Sequence, residues 1–200
     1  MDAVVSIPSQ NSPTGKQRIL ESAHTLFAEA SYGDIGVAQI LEKAGVQAPT
    51  LYHHFGDKEG LYVAWAEQAF RGIDIAMRGA SLSDASTGAC LSRYSFALLT
   101  SIDFDLHEIL RDAPRLQRQE SRERVLGAYM AAIYEPLATI LVQAVATGEF
   151  RNESVQQLAD VFLAGLLALR RTKTAALDDQ ASWWSQAFVR AFTNSVPVLR

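Results

Sequence analysis

The stretch Val37–Leu61, VAQILEKAGVQAPTLYHHFGDKEGL, decides the fold. Val37, Ile40, Leu41 and Ala44 recur at i, i+3, i+4 and i+7, which lays one apolar stripe along a short helix. Gly45 follows at once, where a left-handed helix exit favours a residue without a Cβ. Val46 then turns inward. Pro49 stands in the first turn of a second helix, where its missing N–H is tolerated, and Leu51 and Phe55 form that helix's apolar stripe. Two short helices joined by a tight glycine turn make a helix-turn-helix, whose second helix can enter a DNA major groove. Facing outward on that helix are Ala48, Thr50, Tyr52, His53 and His54, the candidate reading head.

The same residues resemble the DNA-binding domain of the TetR (tetracycline repressor) family. The resemblance rests on Ala44-Gly45-Val46, then Leu51-Tyr52, Phe55, Lys58 and Leu61 at that family's spacing, and covers residues 14–61. Beyond them it lies only in length and helical character. It implies an all-α homodimer with a small N-terminal DNA-binding domain. It also implies a larger C-terminal domain that binds a small ligand and usually releases DNA on doing so. Tyr52 and Lys58 resemble the family's phosphate-contacting tyrosine and lysine, and Pro49-Thr50 with Leu51-Tyr52 belongs to the family motif. Gln47 departs from the pattern, standing where the family often has a serine N-cap, so the second helix starts less firmly.

At 200 residues, 48% hydrophobic and 20% charged, the chain reads as globular, with room for one large domain or two small ones. The longest clean apolar run, Val161–Leu169, lies between Asp160 and Arg170 and is too short to span a bilayer. No export signal is recognisable, and a single cysteine, Cys90, fits a reducing compartment. The expectation is a cytoplasmic protein without membrane contact. Charge argues against easy DNA binding. Residues 1–60 carry four Lys/Arg against seven Asp/Glu, a balance of −3 within a total of −4. Phosphate neutralisation dominates non-specific affinity. Helix N-termini and backbone N–H groups can still hold phosphates, and a dimer doubles what each subunit supplies.

Working outward, residues 1–13 read as a flexible tail. Thr14 and Gln17 form a capping box ahead of Ile19, Ala23, Phe27 and Ala30, a first helix that ends near Tyr32-Gly33. Asp57 is placed to N-cap a helix over 58–79 that carries Leu61, Trp65, Ala69, Ile73 and Met77 and joins the two parts of the chain. The DNA-binding domain is thus 14–60, and 61–200 is a helical ligand-binding and dimerisation domain. Ser81–Gly88 reads as a linker. Helical patterns follow over Ala89–Ile102, Leu106–Arg111, Glu120–Thr147, Glu153–Thr174 and Asp179–Ser195, with Pro136 expected to kink the third.

The last two patterns are apolar on more than one face. Phe162, Leu163 and Leu166 on one, with Trp184, Phe188 and Phe192 on the other, are candidate dimer contacts, and Ala164, Gly165 and Ala168 would allow close approach. Burial inside one subunit is the alternative. Tyr94, Phe96, Tyr129, Met130 and Tyr134, with His107, are candidate ligand contacts because they lie on helices that surround the cavity in the resembled family; they serve equally well as core. Asp103, Asp105, His107 and Glu108 could hold a divalent metal or simply begin a helix. Arg111, Arg115, Arg118, Arg122 and Arg124 could meet an anion, or form a salt-bridged surface with Asp112, Glu120 and Glu123.

On the reading face, Thr50 suits a thymine methyl or a phosphate, and His53 and His54 can donate to a guanine edge. Alternatively Tyr52 packs on the first helix and the histidines are solvated. Adjacent helical residues point about 100° apart, so the two histidines are poorly placed to share a metal. No catalytic motif and no cofactor are expected. The sequence therefore predicts an all-α, homodimeric regulator of transcription. It would bind palindromic double-stranded DNA as a repressor and be released by an apolar or aromatic small molecule. A helical scaffold protein whose helix-turn-helix does not bind DNA is the alternative.

Overall fold

The computed structural model describes residues 13–80, 86–172 and 176–194. Nearly all of the expected tail, the stretch 81–85 of the expected linker and the last six residues lie outside the described residues. Helix α1 (Gly15–Glu29) opens on the capping box: Thr14 Oγ1 accepts the Gln17 N–H at 3.2 Å, and the Gln17 side chain accepts the Thr14 N–H at 2.8 Å. Helix α2 (Val37–Ala44) exits through Gly45 at φ 61°, and α3 (Ala48–Phe55) exits through Gly56 at φ 77°. Asp57 then caps α4 (Lys58–Gly79), accepting the Gly60 N–H at 2.8 Å. Ile19, Ala23, Ile40, Ala44 and Leu51 are buried where α1, α2 and α3 meet, and Leu61 from α4 joins them in one continuous core.

The same α4 carries Phe70, Ile73 and Met77 into the larger domain, where it packs on α5 (Thr87–Ser101) and α7 (Gln119–Tyr129). Between α5 and α7 lie α6 (Leu106–Asp112) and a 3-10 turn, Ala113–Arg115. Helices α8 (Glu135–Ala146), α9 (Val155–Thr172) and α10 (Leu177–Phe192) complete the chain, with α10 packed along α5. Among the described residues the one extended pairing is an isolated bridge, Phe150 to Thr193. Pro136 acts as its ring demands. Lacking an N–H and crowding the carbonyl one turn earlier, it is preceded by a π-helical segment, Met130–Tyr134, that joins α7 to α8. The wholly buried Tyr94 hydroxyl donates to the Ile133 carbonyl of that segment at 2.9 Å.

One expectation is corrected here. Phe162, Leu163, Leu166 and Phe188 are not held for a partner subunit: their own chain covers them, leaving at most 5% exposed. Rings explain it, with Phe162 edge-on to Phe188 at 4.9 Å and Phe188 tilted against Phe192 at 4.6 Å. Trp184 and Phe192 are half-buried in the same cluster. Gly165 allows close approach within the subunit: a Cβ there would lie 2.2 Å from the Trp184 ring, whose Nε1–H donates to the Phe162 carbonyl at 3.0 Å. What α9 and α10 leave outside is Val161, Ala164 and Ala168 on one helix and Trp183, 57% exposed, on the other.

The helix expected over Glu120–Thr147 runs continuously over Gln119–Ala146; at 28 residues and mean hydropathy 1.6 it is apolar and long enough to cross a membrane by composition. It packs on α4, α5 and α9 along part of its surface, and one such helix is weak support for a membrane span.

The two environments of glycine give a paired test. Gly165→Ala should lower unfolding free energy by about 1–3 kcal/mol through overpacking on Trp184. Gly127→Ala, on α7 with no atom within 4 Å of the new methyl, should raise it by about 0.5–1 kcal/mol. Urea titrations of both variants measure the difference.

Candidate nucleic-acid interface

The turn between α2 and α3 is closed by its own backbone and by one long side chain. The Gly45 N–H returns to the Glu42 carbonyl and Val46 N–H to Leu41 O, each at 3.2 Å, while Arg18 of α1 reaches the Gly45 carbonyl at 3.4 Å. Arg18 entered the sequence reading only as a charge, and periodicity gives no sign of this strap. Gln47 supplies no side-chain cap, as its identity suggested, and α3 begins on the Thr50 N–H to Gln47 carbonyl bond at 3.0 Å. Leu51 is wholly buried and Phe55 half-buried, which fixes the opposite face outward.

On that outward face Pro49, Tyr52, His53 and His54 are exposed, Tyr52 by 52%, and the two imidazoles meet edge to face at 4.9 Å. Ala48 and Thr50 are half-buried. The Thr50 methyl lies 2.9 Å from where a Cβ on Gly15 would stand, so it packs against the start of α1 as well as facing out. Tyr52 does not pack away into the domain. Lys58 is drawn inward instead: its Nζ lies 4.1 Å over the Tyr32 ring, and burial lowers its pKa despite the nearby Asp112 and Asp34 carboxylates. Gly60, unremarked in the sequence, sits where a Cβ would be 2.0 Å from the Phe55 carbonyl, and so sets how closely α4 follows α3.

A belt of polar contacts ties this domain to the larger one. Arg118 grips Asp57 at 2.6 and 2.9 Å, and the buried Glu59 carboxylate accepts the backbone N–H groups of Gln117 and Arg118, each at 3.0 Å. Asp112 accepts the Tyr32 N–H at 2.7 Å, Glu108 accepts the Ser31 hydroxyl at 2.8 Å, and Arg124 forks onto Glu67. His24 bridges Trp65 Nε1 at 3.1 Å and Asp103 at 3.0 Å. Burial alone would raise the Glu59 pKa, but hydrogen bonds from Ser121, Arg118 and Gln117 and the Arg118 charge outweigh it and hold the carboxyl below its ordinary range.

The arginine cluster is thus largely the salt-bridged surface: Arg111 pairs with Glu108, Arg118 with Asp57, Arg124 with Glu67, and Arg122 caps the Leu116 and Gln117 carbonyls. Asp103, Asp105 and Glu108 diverge, to His24, to the α6 N-cap and to Ser31, and no metal-holding group of three occurs among the described residues.

The candidate ligand residues are spread between the core and the surface. Tyr94 is core and Phe96 is 43% exposed. His107 borders a groove beside Phe104 and Arg170, and Met130 and Tyr134 flank a shallow groove on α8. Tyr129 packs near Phe70 with its phenol pushed up to about 12 by burial.

Residues 19–65 match the family model for bacterial regulatory proteins of the tetR family. Over these residues the chain is similar to the tetR family. A stretch of 65 residues is 38% identical to a transcriptional repressor, AcnR, from Corynebacterium glutamicum, a match covering 32% of this chain and only 35% of that protein's length. The transcriptional regulator BetI of Brucella suis is 22% identical over 85% of this chain and 86% of its own. The crystal structure of the TetR family regulator PfmR from Thermus thermophilus superposes with a TM-score of 0.70 at 26% identity, over 86% of this chain and 97% of that one.

The Glu59 belt predicts acid sensitivity. A carboxyl whose folded pKa is depressed contributes stability above its unfolded pKa, near the ordinary 4.5, and loses it as pH falls through the lower folded value. Glu59→Gln should therefore cost about 1.5–3 kcal/mol at neutral pH and flatten the fall in stability below about pH 4.5. Thermal melts across pH check both.

Proposed function

We propose that this protein acts in the cytoplasm as a homodimeric repressor that sets its two α3 helices in successive major grooves of a palindromic operator. The observation that carries the reading is α3 itself. It is a short helix with no acidic residue, left-handed Gly45 before it, and Pro49, Tyr52, His53 and His54 exposed along one face. The histidines read base edges, while Tyr52, Thr50 and Ala48 contact the backbone and a thymine methyl. Lys58 reaches a phosphate only by leaving the Tyr32 ring. Repression is favoured by the corynebacterial relatives, which are named repressors.

The dimer forms through the outward faces of α9 and α10, around Val161, Ala164, Ala168 and Trp183, since the residues first expected there are spent inside the subunit. A small-molecule effector held by the larger domain changes the spacing of the α3 helices through α4. Duplex DNA asks for about 34–36 Å between them. One helix running through both domains, with its start clamped by Arg118, supports that route.

Selection of random duplexes by the purified protein at two salt concentrations should recover a palindrome with half-sites about one turn apart, weakening steeply with salt. His53→Ala and Tyr52→Phe should each lower affinity for that operator about 5- to 150-fold. Failure to enrich any sequence at low salt would put the scaffold reading first. Sedimentation should give twice 21.9 kDa, and Trp183→Glu should move it toward the monomer mass.

A further inference from the structure

We infer that the cleft between α1, α4 and the end of α5 binds a small organic cation carrying an apolar or aromatic body. The cleft holds about 530 Å³, within the roughly 300–1,000 Å³ usual for small-molecule sites. One wall is a stripe of α1, Leu20, Glu21, His24 and Thr25; the facing wall is Trp65, Gln68, Ala69 and Gly72, at i, i+3, i+4 and i+7 on α4. Ser101, Asp103 and Phe104 close the end.

Charge selects the ligand. The lining contains two carboxylates, Glu21 and Asp103, and no lysine or arginine. Elsewhere along the domain junction the carboxylates are matched by guanidinium groups: Asp57 and Glu59 by Arg118, Glu67 by Arg124, Glu108 by Arg111. In the cleft the pattern breaks. Glu21 makes no side-chain hydrogen bond or ion pair among the described residues, and Asp103 bonds to the neutral His24 ring, with the Arg170 charge acting on it only from the neighbouring groove. Because His24 Nδ1 accepts the Trp65 indole N–H, its proton stands on Nε2, and that N–H is what Asp103 accepts. Arg170 lies beyond the same loop, committed to the Ile102 and Phe104 carbonyls.

Space complements charge. The floor is apolar, from Leu20, Ala69 and the Trp65 and Phe104 edges, and Gly72 leaves its position open, with no atom within 4 Å of a would-be Cβ. A cation set between Glu21 and Asp103 therefore gains two carboxylates while its body covers the floor. The occupied cleft touches both domains at once, α1 on the DNA side and the α5–α6 loop on the other. Its effect on operator binding rests on the function proposed above; its occupancy does not.

Calorimetric titration of the full chain without DNA tests the site, with benzyltrimethylammonium as probe and benzoate as a control of similar shape. The expected result is saturable binding of the cation alone. Glu21→Gln, at an exposed position without a partner, should weaken binding about tenfold, the loss of about 1.4 kcal/mol. Gly72→Leu, filling the cleft from an exposed helical position, should abolish it while thermal melts show both variants folded. Absence of saturable heat at millimolar probe, equal binding of benzoate, or undiminished binding by both variants overturns the inference. Cation binding in a protein that retains no duplex would support the cleft and overturn the DNA reading, so the two failures separate.

Discussion

The contact on which the rest of the structure depends is the grip of Arg118 and its backbone on the first turn of α4. Asp57 and Glu59 flank the start of the helix that both domains share. Asp57 does two jobs with one carboxylate, capping α4 through Gly60 and meeting the Arg118 guanidinium. Glu59, 6% exposed, fixes the Leu116–Arg118 turn through two N–H groups. A buried carboxylate is costly unless its lone pairs are satisfied. The two domains therefore share a joint whose breaking leaves charges and donors stranded on both sides, and α4 leaves it at an angle set also by Gly60 against the Phe55 carbonyl.

From that joint the belt continues around the domain boundary through Tyr32–Asp112, Ser31–Glu108 and Trp65–His24–Asp103. Each contact pairs a residue of the N-terminal domain or of α4 with one in the segment 103–124. Polar contacts suit such a boundary. An apolar seam would tolerate sliding, whereas hydrogen bonds with defined partners admit few arrangements and give a two-state element something to break. The hydrophobic core runs through the boundary without a gap, so the belt sets orientation where the core sets cohesion.

How much was legible in the sequence follows from the range of the interactions involved. Capping at Thr14, the left-handed exit at Gly45, the weak start at Gln47, the Asp57 cap and the break ahead of Pro136 are local. They depend on residues within one or two turns, and the structure reproduces them within a residue or two. The all-α architecture and the helix-turn-helix came with them. Arg18 on the Gly45 carbonyl, Lys58 on the Tyr32 ring and Arg118 on Asp57 are invisible to periodicity because their partners are remote or reached through tertiary packing. The misreading of Phe162, Leu163, Leu166 and Phe188 has a related cause. A helix apolar on two faces must be covered twice, and one chain supplied the second cover from α5 and α10. The aromatic set divided in the same way, Tyr94 entering the core while Phe96 stayed exposed and Tyr134 flanked a groove.

Charge shows why a domain cannot be counted alone. The balance of −3 over residues 1–60 includes Asp57 and Glu59, one unit of whose charge is offset by Arg118, a residue outside that count. With that guanidinium included, the field over the helix-turn-helix is less negative than its own sequence states, and α3 contributes no acid to it. At 2.6–3.3 Å from both carboxylates the guanidinium offsets one of their two charges, and screening over roughly 8–10 Å weakens what remains at longer range. The same guanidinium that orients the domain thus lowers the electrostatic cost of bringing it to DNA. A motion that pulled Arg118 from Asp57 would raise that cost as it changed the geometry, so spacing and charge would act on duplex affinity in the same direction.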